Sequence, residues 1–282
     1  MVEITVEAIV DFTTTIFVLT TMLSMGFELT PNQLVASLNK RRLMAKSLAV
    51  NIIIIPFFAY ALVITFPMET GYAAGILLIA MAPGAPFGPK LAEISASDIA
   101  FASGLMAVLG FVSVVTIPIT AALLLPGDVT ADPIRIAQLV VVVQLFPLLA
   151  GLIIDARCPS IADRLYPPVQ RLSDYSFVGL IVLLLVVYLN EMLLLVGTGT
   201  LFVSAIVVGA AILFGYVLGG PERSTREVLA TTTAARNAAI ALFIATTSFA
   251  DPDVLTMVLA FSFTGVVVAG LLAAVWGRYG DR

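Results

Sequence analysis

The chain has 282 residues, 60% of them hydrophobic and 11% charged, with a mean hydropathy of +1.10 and a formal charge of −4. A water-soluble domain carries roughly 25% charged residues because its surface has to be solvated. Less than half that share excludes a soluble enzyme and leaves an all-α polytopic protein embedded in the lipid bilayer. Histidine is absent from the sequence, which excludes Ser-His-Asp and Cys-His nucleophiles, HExxH zinc sites and haem held by His. The single cysteine, Cys158, forms neither an internal disulfide nor a CxxC pair. Basic stretches interleaved with aromatics are missing as well, so nucleic acid is not an expected partner.

From the N-terminus onward, nine runs supply the roughly 20 apolar residues needed to cross a hydrocarbon core. They fall near 8–29, 43–66, 71–95, 97–125, 134–154, 174–196, 200–219, 225–249 and 253–276. Thr30-Pro31-Asn32, Pro126-Gly127-Asp128, Gly219-Gly220-Pro221 and Asp251-Pro252-Asp253 punctuate them with turn formers. Only Ser95 to Asp98 separates the third run from the fourth, which predicts a tight helical hairpin. Between Pro159 and Leu172 charge alternates with Ile, Leu and Tyr, the pattern of an amphipathic piece lying in the interface. Met1 to Asp11 carries Glu3, Glu7 and Asp11 but no Lys or Arg, so this segment lacks the positive n-region of a signal peptide and is expected to be retained.

The basic residues orient the spans. With the N-terminus outside, alternation places Lys40, Arg41, Arg42, Lys46, Arg157, Arg164, Arg171, Arg223, Arg226, Arg278 and Arg282 in the cytoplasm, eleven of the fourteen. The outer connections hold only Arg135, among acids such as Glu69, Asp128, Asp132, Asp251 and Asp253. This bias predicts a plasma-membrane protein with its N-terminus outside and its C-terminus cytoplasmic. The two remaining basic residues, Lys90 and Arg236, fall inside predicted spans.

The third run contains Pro83-Gly84-Ala85-Pro86-Phe87-Gly88-Pro89-Lys90. Each proline removes a backbone donor and clashes with the preceding turn, so a helix cannot continue through three of them. Non-helical backbone at membrane depth survives only where protein or a water-filled cavity satisfies it. Pro83 to Pro89 is therefore expected to be unwound, with Pro83, Gly84, Ala85 and Pro86 facing a substrate. The eighth run carries Thr231-Thr232-Thr233 and then Arg236-Asn237, a polar cluster in mid-span without a proline. The third and eighth runs lie about 154 residues apart and the fourth and ninth about 156. Such an offset predicts an inverted repeat, four spans in 1–133 and five in 134–282, with two broken helices in corresponding places. Paired interruptions of this kind mark the midplane binding site of a secondary transporter.

Arg236 lies about ten residues, or roughly 15 Å, from either end of its span. An arginine at that depth costs at least about 2.5–3.5 kcal/mol on insertion scales. It has to face a cavity, a carboxylate, backbone carbonyls of the third run or an anionic substrate. Two readings stay open, a structural arginine tied to those carbonyls and a cation that draws an anion to the crossing. Lys90 lies about 9 Å from the inner end of its span, where its stem can snorkel and Glu93 can neutralise it. Asn237, Thr232 and Thr233 are candidate substrate neighbours, although a threonine in a membrane helix more often bonds its own i−4 carbonyl. Asn51 and Gln144 read as ordinary helix–helix hydrogen bonds.

Three stretches resemble the bile acid:sodium symporter superfamily: Met22 to Leu29 (MLSMGFEL), Ala82-Pro83-Gly84-Ala85, and Ala235 to Leu242 (ARNAAIAL). The resemblance covers nearly the whole chain and implies a panel domain, a core domain holding two crossing broken helices, and carriage of an organic anion, often with sodium. In that family a Ser-Asn pair after the first break and a Glu and Gln four apart in the second crossing helix hold sodium. The matching positions here are Gly88 and Pro89, and Thr232 and Arg236. A guanidinium beside those positions repels sodium, so the resemblance implies the fold while the residues argue against sodium coupling. No cofactor or metal is expected. The sequence thus predicts a secondary transporter of a small organic anion working by alternating access, the alternative being a channel-like or sensory membrane protein on a carrier fold. An intramembrane enzyme would need a nucleophile–base pair or paired aspartates at membrane depth, and the spans offer neither.

Overall fold

The computed structural model describes residues 6–29, 37–126 and 132–280, and every regular element among them is a helix. In chain order these are α1 (Val6–Glu28), α2 (Arg41–Thr65), α3 (Thr70–Ala80), α4 (Gly88–Ile94), α5 (Ile99–Leu124) and α6 (Ile134–Arg157). They are followed by α7 (Pro159–Val187), α8 (Leu189–Leu194), α9 (Thr200–Leu218), α10 (Arg223–Ala235), α11 (Ala238–Ser248) and α12 (Pro252–Gly280). The turn formers at 30–32 and 127–128 lie outside the described residues. Among the described residues seven stretches are long and apolar enough to cross a membrane: α1, α2, α5, α6, α9, α10 with α11, and α12.

The other two expected spans differ from a single straight helix. In the third, the helix stops at Ala80 and resumes at Gly88, so the unwound stretch covers 81–87. Pro89, expected to be unwound, instead sits in the first turn of α4, where a missing N–H leaves no hydrogen bond unmade. Gly84 takes a φ of +89°, a conformation that glycine reaches without strain. In the sixth, the amphipathic piece expected at 159–172 is not separate. A single helix opens at Pro159, again a first-turn proline, and continues through Pro167 and Pro168 to Val187. The expected span is the second half of α7 followed, after a bend at Tyr188, by α8.

The hairpin between the third and fourth runs is present. Asp98 caps α5 by accepting a hydrogen bond from the Phe101 amide at 2.8 Å. Around it the helices pack in two groups: α1 lies against α6 and α7, while α12 packs on α3 and, with α9, on α10. The interrupted helices are innermost. All of Gly71–Ala80 is buried, as are Glu227–Ala235 of α10 and Ala238–Ala245 of α11. Large apolar side chains left exposed, such as Phe12, Ile64, Phe146, Val186, Phe202 and Leu271, lie on the outer helices, as contact with acyl chains requires.

Where α1 meets α6 the backbones touch through two glycines: a Cβ on Gly26 would come within 2.9 Å of the Gly151 Cα, and a Cβ on Gly151 within 2.9 Å of the Gly26 Cα. Close backbone approach through small residues is how membrane helices gain packing energy without a hydrophobic drive. Gly151→Val is expected to wedge α1 from α6, destabilising the protein by about 1–3 kcal/mol. A circular-dichroism melt in detergent checks this, and an unchanged midpoint would show that the two helices are not in contact.

Candidate functional site

The two interruptions meet. The Asn237 amide donates to the Ala82 carbonyl at 2.8 Å, joining the second break to the unwound stretch of the first. Asn237 also caps α11, its side-chain oxygen accepting from the Ile240 amide at 3.2 Å. Between α10 and α11 the chain turns at Arg236, whose φ of +49° and ψ of 175° lie outside the helical region. A non-glycine residue in such a conformation is strained and has to be held by its surroundings.

The hold is the side chain itself. Arg236 is 1% exposed and its guanidinium donates to three oxygens: Asn51 Oδ1 at 3.1 Å, the Asn51 carbonyl at 3.1 Å and the Ile79 carbonyl at 3.4 Å. Ion pairs among the described residues are Lys40–Asp98, Lys90–Glu93 and Arg223–Glu227, so its charge is met by carbonyl and amide dipoles rather than by a carboxylate. Of the partners open to Arg236 from sequence, the structure supplies backbone carbonyls, and it adds Asn51.

Asn51 can serve because α2 is locally under-wound into a wider turn. Residues Ala49–Ile54 form a π turn in which the Ile55 amide bonds the Val50 carbonyl, five residues back. The next bond in that register would run from residue 56 to the Asn51 carbonyl, but residue 56 is proline and has no N–H. That carbonyl is orphaned inside a membrane helix, and Arg236 Nη2 takes it. The Asn51 amide completes the clamp by donating to Thr233 Oγ1 at 3.1 Å and to the Ser47 carbonyl at 3.0 Å. Sequence reasoning assigned Asn51 an ordinary helix–helix bond; the missed signal was a proline five residues downstream of it. Helix α6 repeats the device at Val141–Leu145 ahead of Pro147. There Gln144 bonds the Gly110 carbonyl at 2.8 Å and Ser113 Oγ, a helix–helix link of the expected kind.

The remaining predicted residues divide. Thr232 turns its hydroxyl to its own Val228 carbonyl at 2.6 Å, and Thr231 likewise to Glu227 at 2.9 Å. Thr233 belongs to the clamp. Ala85 is buried, and Pro83 and Gly84 are buried with it in the unwound stretch. Lys90 is on the surface, 2.7 Å from Glu93, with both side chains more than half exposed. The enclosed acid is a different one, Glu227, 3% exposed, which accepts from Ser97 Oγ at 2.8 Å and from Arg223. It ties the α4–α5 hairpin to the start of α10.

A cavity of about 560 Å³ opens beside the crossing. One wall is Pro86, Phe87, Pro89 and Lys90 at the start of α4, with Ala238 and Ala239 at the start of α11. Helices α1 and α7 supply the facing wall, where Tyr166 donates to Glu28, Ser24 to Gln170, and Gln170 to Asp174 at 2.9 Å. Thr21 and Ser173 share a hydrogen bond of 2.6 Å on the same wall. Of the predicted site residues Pro86 and Lys90 line the cavity, while Arg236, Asn237, Thr232, Thr233, Pro83, Gly84 and Ala85 are buried and do not line it.

Helical in every regular element among its described residues, apolar enough to span a membrane several times and interrupted twice at one central point, the chain is a polytopic membrane protein. The model of the Sodium Bile acid symporter family matches residues 15–198, and the chain belongs to that family. It is 21% identical over 264 residues to the probable chloroplastic sodium/metabolite cotransporter BASS1 of Arabidopsis thaliana, covering 92% of this chain and 65% of the relative. The rice counterpart from Oryza sativa subsp. japonica is 21% identical over 259 residues, covering 91% of this chain and 64% of the relative. The chain therefore spans just under two thirds of the length of these two relatives.

Removing either side of the clamp leaves buried polar groups unpaired, at about 1–3 kcal/mol each. Arg236→Gln and Asn51→Ala are each expected to lower the thermal midpoint, and the double variant to fall by less than the sum because the two share one network. Fluorescence melts of the four proteins in detergent check this; strict additivity would show the two residues to act independently.

Proposed function

We propose that the chain is a secondary transporter that moves a small organic anion by alternating access. The observation that carries this reading is the cavity between two groups of helices, one wall of which is formed by the first turns that follow both helix breaks. A solute held there touches the crossing on one side and α1 and α7 on the other. Rocking of the group built on α1, α6 and α7 against the remainder would open the same site to either face of the membrane, as a panel against a core. With the N-terminus outside, the Glu28, Lys90 and Glu93 ends face the cytoplasm, making this the inward-facing form of a plasma-membrane carrier built as an inverted repeat of 1–133 and 134–282.

Electrostatics supports an anion on the crossing side. Ala238 and Ala239 open the 11-residue helix α11, whose N-terminal amides and dipole favour negative charge. Arg236, two residues upstream and without a carboxylate partner, adds its charge to that wall. Lys90 contributes less, since Glu93 neutralises it at an exposed position. The opposite wall presents Glu28 and Asp174, which disfavour a second negative charge and suit hydrogen-bond donors on the solute. A monocarboxylate carrying a polar substituent matches both walls.

Reconstituted into vesicles, the protein is expected to take up labelled lactate or glycolate, whose hydroxyl donates, faster when the same unlabelled acid is preloaded inside. Flux linear in concentration and indifferent to internal solute, across a panel of labelled monocarboxylates, would mark a channel or a receptor instead. Arg236→Gln should reduce uptake at least about tenfold and Lys90→Gln less than about threefold. Uptake by Arg236→Gln equal to that of the parent would remove Arg236 from this role.

A further inference from the structure

Two places at the crossing where a cation could lodge are filled by the chain's own atoms. Asn51 Oδ1, the Asn51 carbonyl left over by a π turn and a proline, and the Ile79 carbonyl at a helix end surround one guanidinium at membrane depth. One of them, the Asn51 carbonyl, has lost its intrahelical donor, the Ile79 carbonyl keeps a 3.2 Å bond from the Ala82 amide, and Asn51 Oδ1 is a side-chain oxygen. A set of carbonyl and amide oxygens is what an alkali cation would bind. Here they bind Arg236. A sodium ion placed among them would meet a guanidinium within a few ångströms, with no carboxylate to offset the repulsion. The second place lies where the crossing helices touch, between Gly88 and Thr232. A Cβ on Gly88 would come within 3.0 Å of Met106 Sδ and of the Thr232 methyl carbon. The Thr232 hydroxyl is turned away to Val228, so this point is closed by a thioether and a methyl group, neither of them a ligand for a hard cation.

We infer that Arg236 is the resident cation of this carrier, doing permanently at the crossing what a bound metal ion would do transiently, and that the protein neither binds sodium nor draws on its gradient. The donor set does not fit sodium although the family's description names it. The inference rests on the reading of the chain as a carrier. Two consequences follow from the geometry. The crossing is assembled in every state of the cycle, since its cation cannot dissociate. Net movement of solute then follows the gradient and charge of the solute itself, or exchange against another.

The test uses the full chain and begins without any solute. Purified parent protein is expected to show no saturable binding of ²²Na⁺ in a scintillation proximity assay and the same thermal midpoint in sodium, potassium and choline chloride. Arg236→Ala leaves a guanidinium-shaped gap among the three oxygens, and millimolar guanidinium chloride should raise the midpoint of that variant while leaving the parent's unraised. Tetramethylammonium, too large and without N–H donors, should not. Where Arg236→Ala does not fold, Arg236→Gln takes its place in the same melts, and the ²²Na⁺ measurement on the parent needs no variant. Saturable ²²Na⁺ binding to the parent, or vesicle uptake that falls about tenfold when choline replaces sodium, overturns the inference. So does a gap variant that guanidinium fails to stabilise. Absence of solute exchange under all conditions would instead sink the carrier reading and leave the cation result standing.

Discussion

A guanidinium bonded to a carbonyl that proline has deprived of its donor sets the geometry of the centre. Lipid offers no water to a stranded backbone group, and each one left unmatched costs several kcal/mol. Two such liabilities occur here, the Asn51 carbonyl above Pro56 and a buried arginine with no carboxylate, while the Ile79 carbonyl at the end of α3, which also accepts from the Ala82 amide at 3.2 Å, adds a further contact. Each of the two is severe alone, and each is the remedy for the other. That mutual satisfaction explains why a positive-φ arginine persists in the most enclosed helix pair of the molecule, and why α2, otherwise an outer helix, is tied to the crossing.

From that knot the rest of the site follows. The Asn237 amide on the Ala82 carbonyl fixes the two breaks side by side, so α4 and α11 start next to each other and present their first turns to one cavity. Glu227 and Ser97 secure the far end of the same group, where the hairpin meets α10. Across the cavity, α1 and α7 are held together by a ladder of hydroxyl, amide and carboxylate groups of their own. Each wall is thus braced internally, and a buried link that joins the two groups, Gln144 of α6 on Gly110 and Ser113 of α5, lies outside the cavity lining. Two stiff bodies with a polar gap between them is what a rocking motion needs.

Much of this was legible in the chain. Hydropathy marked the spans, three prolines in seven residues marked the first break, and Ser95 to Asp98 was short enough to force a hairpin. Lys90 and Glu93 pair at the spacing that predicted it, and Thr231 and Thr232 bond their own turn as membrane threonines commonly do. Other features were beyond local pattern. Proline at the first turn of a helix does not end it, so α4 begins before Pro89 and α7 begins at Pro159. Tyr166 and Glu28, or Gln170 and Ser24, are separated by well over a hundred residues and share no period that sequence exposes. The partner of Arg236 was legible only in halves: its depth said that oxygens must surround it, but Asn51 looked unremarkable until the missing N–H of Pro56 was counted against its carbonyl.

The span of chain between those partners bears on biogenesis. Asn51 and Arg236 are 185 residues apart. A ribosome feeding the membrane one helix at a time delivers α2 long before α10 exists, so the nascent protein carries a carbonyl with no donor while most of its remaining helices are still being made. Water, the insertion machinery or lipid headgroups have to shelter that group in the interim. Chains truncated anywhere ahead of residue 236 keep this defect permanently, which gives quality control a chemical mark by which an unfinished copy differs from a finished one.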